Sequence, residues 1–193
     1  LSLEESLKIL RETKALLEGH FILSSGLHSP QYVQCAQLMS KPDKAQKICV
    51  SLAEKISKEF NNFDIILSPA MGGVIIGYEI GRLLKKETIF SERVNGRFML
   101  RRDFSLKKKA KVLIIEDVIT TGKSSLECAK LVSECEASIV GYACIIDRSN
   151  DNSLISDKIV SQIKLNIPTY TKENLPTSLA SIEAIKPGSR NLK

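Results

Sequence analysis

Apolar positions change their period twice along this chain of 193 residues. Ser2 with Glu5 three residues later forms a capping box. Leu3, Leu7, Leu10, Leu16 and Leu17 then predict an amphipathic helix to about Glu18, stopped by Gly19. Residues 21–34 read as two short strands around a turn at Ser24–Pro30. Pro42 opens a second helix, expected to run to Phe60. Beyond it the apolar runs become short and unbroken. Ile65–Leu67, Thr88–Ser91, Val112–Ile115 and Ile139–Ile146 are candidate strands, with helices expected at about Val74–Lys85 and Lys123–Ser133. A further strand is expected at about Ser161–Ile167, before a polar tail. Continuous apolar strands alternating with helices predict an α/β fold, a central parallel sheet flanked by helices. Such sheets bind ligands at the carboxyl ends of their strands. Here those ends are Ser68–Gly73, Glu116–Ser124 and Asp147–Arg148. The reading is one domain, with a core of about 41–159 and a small appendage from about 1–40 and about 160–193. There is no internal repeat.

Composition narrows the class. Hydrophobic residues make up 43% and charged residues 26%, values of a globular chain. No apolar run approaches the roughly 20 residues that a membrane helix needs. Leu1–Leu10 lacks a basic segment ahead of an apolar stretch and is expected to be a helix rather than a secretory signal, which points to a cytoplasmic address. Five cysteines, an odd number without a CxxC pair, are expected as buried reduced thiols rather than disulfides or zinc ligands. With only His20 and His28, a histidine-rich hydrolase metal centre is excluded.

The net charge of +6 fits an anionic small substrate or a nucleic acid. Eight basic residues fall within Arg93–Lys111, against Asp103 alone. Only Phe98 and Phe104 interleave with them, too few for a base-stacking platform, so no nucleic-acid partner is expected.

The chemistry concentrates in Val112–Ser125. An apolar strand ends in two adjacent carboxylates, Glu116 and Asp117, suited to charge-assisted bonds from paired sugar hydroxyls. At a strand-to-loop exit both are expected to face the site. Their negative charge would also favour a carbocation-like transition state. Thr120-Thr121-Gly122-Lys123-Ser124 then opens a helix, where hydroxyls and free N–H groups make an anion site. Gly122-Lys123-Ser124 imitates the end of a Walker A loop, but the position that loop requires as its first glycine is Asp117, so that reading is rejected.

This run resembles the phosphoribosyl pyrophosphate (PRPP) signature of type I phosphoribosyltransferases. Gly19–Tyr32, with its Ser24-Ser25-Gly26-Leu27-His28-Ser29-Pro30, resembles the N-terminal hood of the orotate phosphoribosyltransferases, as do Phe90–Arg93 and Leu100–Arg102. The resemblance covers nearly the whole chain. It implies the type I phosphoribosyltransferase fold and transfer of the 5-phosphoribosyl group from PRPP to orotate in pyrimidine (UMP) biosynthesis. It also implies Mg²⁺ held mainly by PRPP, with no certain protein ligand, and a homodimer with a lid crossing between subunits.

By residue, the resemblance implies that Glu116 and Asp117 hold the ribose and that Val118, Ile119, Thr120, Thr121, Gly122, Lys123 and Ser124 hold the 5′-phosphate. Thr120 and Arg148 would face orotate. Gly72 and Gly73 would approach pyrophosphate, and Arg93 and Arg97 would reach it from the lid, Arg93–Asp103. The chain departs from the family pattern at Ser24 and Gly72, where lysine is common, and its lid has no histidine. Two alternatives stay open: a phosphoribosyltransferase for another base, such as a purine, and a PRPP-sensing regulator that binds nucleic acid and catalyses nothing.

Overall fold

The computed structural model describes residues 1–149 and 153–187. Among these residues, eight strands form two sheets. β1 (Leu16–Ile22) and β2 (His28–Val33) make an antiparallel pair. The larger sheet has the order β5-β4-β3-β6-β7-β8, built from β3 (Ile65–Pro69), β4 (Glu87–Val94), β5 (Arg97–Leu100), β6 (Lys111–Ile119), β7 (Ser138–Asp147) and β8 (Ile159–Lys164). All its pairings are parallel except β4–β5. The helices are α1 (Leu3–Glu12), α2 (Cys35–Met39), α3 (Pro42–Glu59), α4 (Gly72–Leu84), α5 (Lys123–Glu134) and α6 (Thr177–Ala180).

Strand alternation divides the core in two. Along β6, Leu113 and Ile115 join a cluster with α3 and α4, while Val112 and Ile114 join one with Cys128 and Val132 of α5. All four side chains are fully buried. Each contributes about 1.5–3 kcal/mol of transfer free energy, so β6 is clamped from both faces. Among the described residues, no helix is long and apolar enough to cross a membrane. All five cysteines are free thiols, four of them buried.

Four expectations need correction. The capping box at Ser2 is present, but α1 ends at Glu12, not Glu18. Lys14 adopts a left-handed conformation, φ 59°, and turns Leu16 and Leu17 into β1. Residues 93–103 are not an open lid loop throughout: β4 and β5 pair as a hairpin across Asn95-Gly96, with φ values of 49° and 81°. Residues 160–164 lie not in the appendage but in β8, the far strand of the main sheet. Lys55 of α3 donates to the carbonyls of Ser161 and Gln162 there. The fourth correction concerns the acidic pair: β6 continues to Ile119, so Glu116 and Asp117 lie within the strand.

The tail beyond β8 does meet the N-terminal hairpin. Ile185 exchanges hydrogen bonds with His20 and Ile22 on the β1 side, and Tyr170 with His28 on the β2 side. Both sheet edges are thereby partly covered. His20 and His28 are buried, with Nε2 of the first 2.6 Å from Nδ1 of the second. His20 Nδ1 lies 2.8 Å from the Ile182 carbonyl. A carbonyl only accepts, so His20 Nδ1 carries a proton; in the neutral pair His28 Nδ1 then donates to His20 Nε2.

Candidate active site

The carboxyl ends of β3, β6 and β7 form one neighbourhood, because β3 and β7 flank β6. Into it project the start of α4, the acidic pair with the start of α5, and the turn after β7.

Alternation sends the two carboxylates to opposite faces of the sheet edge, contrary to the expected common orientation. Glu116 points to the α5 side, where Ser125 Oγ donates to Oε1 at 2.5 Å. Asp117 points to the α4 side: a Cβ on Gly72 would sit 2.7 Å from its Oδ2. Burial pushes Glu116 up to about 7, opposed by the Ser125 hydrogen bond and reinforced by Asp117. Burial also raises Asp117, opposed by the Val118 N–H that donates to its Oδ1 at 2.9 Å. The pair thus straddles the strand end with little water around it.

Gly122 is the N-cap of α5, with φ 80°. A side chain there would be strained, and its Cβ would lie 2.6 Å from Ile155 Cγ1. Gly122 offers α5 no capping side chain, and apart from a long 3.4 Å hydrogen bond from Lys123 N–H to Thr121 Oγ1 the first N–H groups point outward from a positive helix end. Thr120, Thr121 and Lys123 are exposed around it, and Ser124 is half-buried. Val118 and Ile119 serve as backbone of the cradle; the Ile119 carbonyl accepts from Arg148 N–H at 2.8 Å. Helix α4 likewise begins at Gly72 without a side-chain cap. Gly73 allows it to approach the Ile115 carbonyl, which a Cβ would meet at 3.0 Å. Two uncapped helix starts therefore follow neighbouring strands, a layout suited to two separate anionic groups.

Arg148 follows β7. Asp147 accepts from both Ser149 N–H, at 2.9 Å, and Ser149 Oγ, at 2.6 Å, which fixes the turn. Arg148 Nε is buried and has no hydrogen-bond partner among the described residues. Burial also lowers the pKa of this guanidinium. An unmatched buried donor costs about 1–3 kcal/mol or more for a charged group, which a planar anion would relieve.

The structure thus brings together Gly72, Gly73, Glu116–Ser124 and Arg148. It does not bring Arg93 and Arg97 to the same place. Arg93 pairs with Glu127 of α5 at 2.5 Å, donates to the Gly96 carbonyl and lies over the Phe98 ring. Arg97 is exposed on the hairpin, beside Lys130 and Glu134. Ser24 lies exposed in the turn between β1 and β2. Ser125 was missed by sequence reasoning. Its signal was the serine doublet in the first helical turn, of which only one hydroxyl can face inward to β6.

A parallel sheet bearing an acidic pair and two uncapped helix starts defines a class, and comparison with known proteins identifies it. The phosphoribosyl transferase domain family matches residues 41–180. The chain belongs to the phosphoribosyltransferase family. An orotate phosphoribosyltransferase of Parvibaculum lavamentivorans is 44% identical over 190 residues, 98% of each chain. One of Methylorubrum extorquens is 45% identical over 98% of this chain and 97% of its own. These similarities assign the chain to the orotate branch of that family. The crystal structure of orotate phosphoribosyltransferase from Aeropyrum pernix shares the fold, with a TM-score of 0.71, 21% identity, and coverage of 82% of this chain and 92% of its own.

Proposed function

We propose that this chain transfers the 5-phosphoribosyl group from PRPP to orotate, giving orotidine 5′-phosphate and pyrophosphate in pyrimidine (UMP) biosynthesis. The observation that carries the choice of base is the buried Nε of Arg148 beside the α5 cradle, which has no partner among the described residues. Orotate has a carboxylate to present to that planar fork, whereas adenine and hypoxanthine have none.

The 5′-phosphate sits on the N–H groups of Gly122–Ser124, helped by the Thr120, Thr121 and Ser124 hydroxyls. Glu116 and Asp117 accept from the ribose hydroxyls, and Thr120 and Arg148 orient orotate. Deprotonated N1 of orotate attacks C1′ while the bond from C1′ to pyrophosphate breaks. Negative charge at the strand end favours positive charge developing on the ribose ring. No covalent protein intermediate is needed; positioning and electrostatics supply the rate.

Mg²⁺ suits this chemistry by neutralising the leaving group. Among the described residues no three His, Cys, Asp or Glu side chains converge on a metal site. The hard oxygens of Glu116 and Asp117 fit Mg²⁺ as outlying partners of an ion carried on phosphate and water oxygens.

The proposed assembly is a homodimer in the cytoplasm, with Arg93 and Arg97 of the hairpin region reaching across as a lid. Met71, Ile75 and Tyr78 support a partner surface: they are 82%, 57% and 68% exposed and share one helical face beside the site. The free thiols support a reducing compartment.

The test is orotate- and Mg²⁺-dependent release of pyrophosphate from PRPP, with Asp117→Asn as a control expected to lose most turnover. Turnover with adenine or hypoxanthine in place of orotate would overturn the assignment of the base. PRPP binding without turnover on any base would overturn the enzyme.

A further inference from the structure

Two carbonyls of the loop that opens α5 are held by the chain beyond β7. The Ile119 carbonyl accepts from Arg148 N–H at 2.8 Å, and the Thr121 carbonyl accepts from Leu154 N–H at 2.9 Å. The peptide bonds that contain these carbonyls are trans. A trans peptide is planar, with its N–H directed opposite its C=O. The N–H groups of Thr120 and Gly122 are therefore turned away from the chain beyond β7, to the opposite side of the loop.

Ile155 fixes the loop at the next residue. Its Cγ1 and Cδ1 lie 2.6 and 2.7 Å from where a Cβ on Gly122 would stand, so it fills the volume that any other residue at 122 would need. Ile155 is 7% exposed and joins the apolar cluster of Ile119, Cys128 and Val132, which ties the loop to the body of α5. Its backbone is held in turn by Ser153, whose Oγ accepts from Ile155 N–H at 3.1 Å and donates to the Ile155 carbonyl at 3.2 Å. The Leu154 side chain between them is 62% exposed, so this residue serves the loop through its N–H rather than by packing. Aiming matters in a site built on backbone N–H groups, because ordering a loose loop around a ligand costs conformational entropy at each binding event.

We propose that Leu154 and Ile155 are positioning residues for the phosphate cradle: they hold its loop so that the Thr120 and Gly122 N–H groups face the 5′-phosphate before it arrives. The proposal rests on reading the cradle as the seat of a phosphate monoester. Both residues act through the loop and not on the substrate, Leu154 by way of the Thr121 carbonyl and Ile155 by way of Gly122. The chain beyond β7 thereby serves two ends of the site. Arg148 at its start faces orotate, and residues 153–155 aim the cradle.

The test is calorimetric titration of ribose 5-phosphate into the full chain and its variants, alongside KM for PRPP and for orotate. Leu154→Pro removes the N–H that holds the Thr121 carbonyl, and Ile155→Ala removes the side chain packed on Gly122. Each should weaken ribose 5-phosphate binding by about tenfold, the worth of one charge-assisted hydrogen bond. Each should also raise the KM for PRPP far more than the KM for orotate. Ile155→Val, which keeps a Cγ1 against Gly122, should fall between. Val132→Ala truncates the same apolar cluster away from the loop, so it should lower the melting temperature without changing ribose 5-phosphate binding. Unchanged binding in both Leu154→Pro and Ile155→Ala would overturn the proposal. So would an equal loss in Val132→Ala, which would reduce the effect to general loosening of the fold. Failure of the unaltered protein to bind ribose 5-phosphate would refute the reading of the site itself, and the proposal with it.

Discussion

Ser125→Ala removes a hydroxyl 2.5 Å from the buried Glu116 carboxylate, at a helical position that tolerates alanine. Burial holds Glu116 at about 7, and the Ser125 hydrogen bond pulls against that rise. A hydrogen bond to a charged acceptor is worth about 1.5–3 kcal/mol. At about 1.4 kcal/mol per pKa unit, its loss moves the titration up by about one to two pH units. The ionised carboxylate is the form that accepts from ribose, so kcat/KM for PRPP should rise with pH through about 7 in the unaltered protein. In Ser125→Ala the same rise should appear about one to two pH units higher. Glu116→Gln should abolish it. Pyrophosphate release followed across the pH range reads all three. Superimposable profiles for Ser125→Ala and the unaltered protein would refute the reasoning. Stability carries its own sign. Glu116 is raised above 4.5, so between 4.5 and about 7 the native state binds more protons than the unfolded chain. Its contribution is therefore fully present below 4.5 and is lost as pH rises through about 7, by about 3 kcal/mol over the window. Denaturant midpoints on either side of that window measure it.

Gly122→Ala should cost about 2–4 kcal/mol in denaturant unfolding, since it combines a left-handed residue with a collision against Ile155. Arg148→Ala should raise the KM for orotate far more than that for PRPP. It should also leave the melting temperature equal or higher, because the variant removes a buried donor that has no partner among the described residues. His20→Ala should speed amide hydrogen exchange at Ile22 and Ile185, which the histidine pair ties together, while leaving α3 and α4 unchanged.

The main sheet was legible because its strands are buried on both faces. Val112–Ile115 and Ile139–Ile146 read as unbroken apolar runs for that reason. The first helix overran because Leu16 and Leu17 continue its apolar face, and nothing about a lysine announces a left-handed Lys14. That turn depends on β1 pairing with β2, a contact between separated segments. β5 was hidden by its shortness, four residues opening on the charged Arg97, although Asn95-Gly96 between Val94 and Arg97 carried a hairpin signal. The place of β8 depended on where the chain returns after β7, which periodicity does not encode. The site was largely readable, since Glu116–Ser124 is contiguous in sequence. Its missing pieces were relations across the fold: Ser125 on Glu116, Glu127 on Arg93, and Asp117 against Gly72.

The contact between Gly72 and Asp117 ties two positions far apart in the chain to one packing requirement. Any side chain acquired at 72 must be accepted by a carboxylate at 117 that has turned away, and a turned carboxylate no longer offers the same oxygens to ribose. A lysine grafted onto position 72 alone would therefore disturb the acid as well as the loop, so redesign of this site has to treat the two positions together.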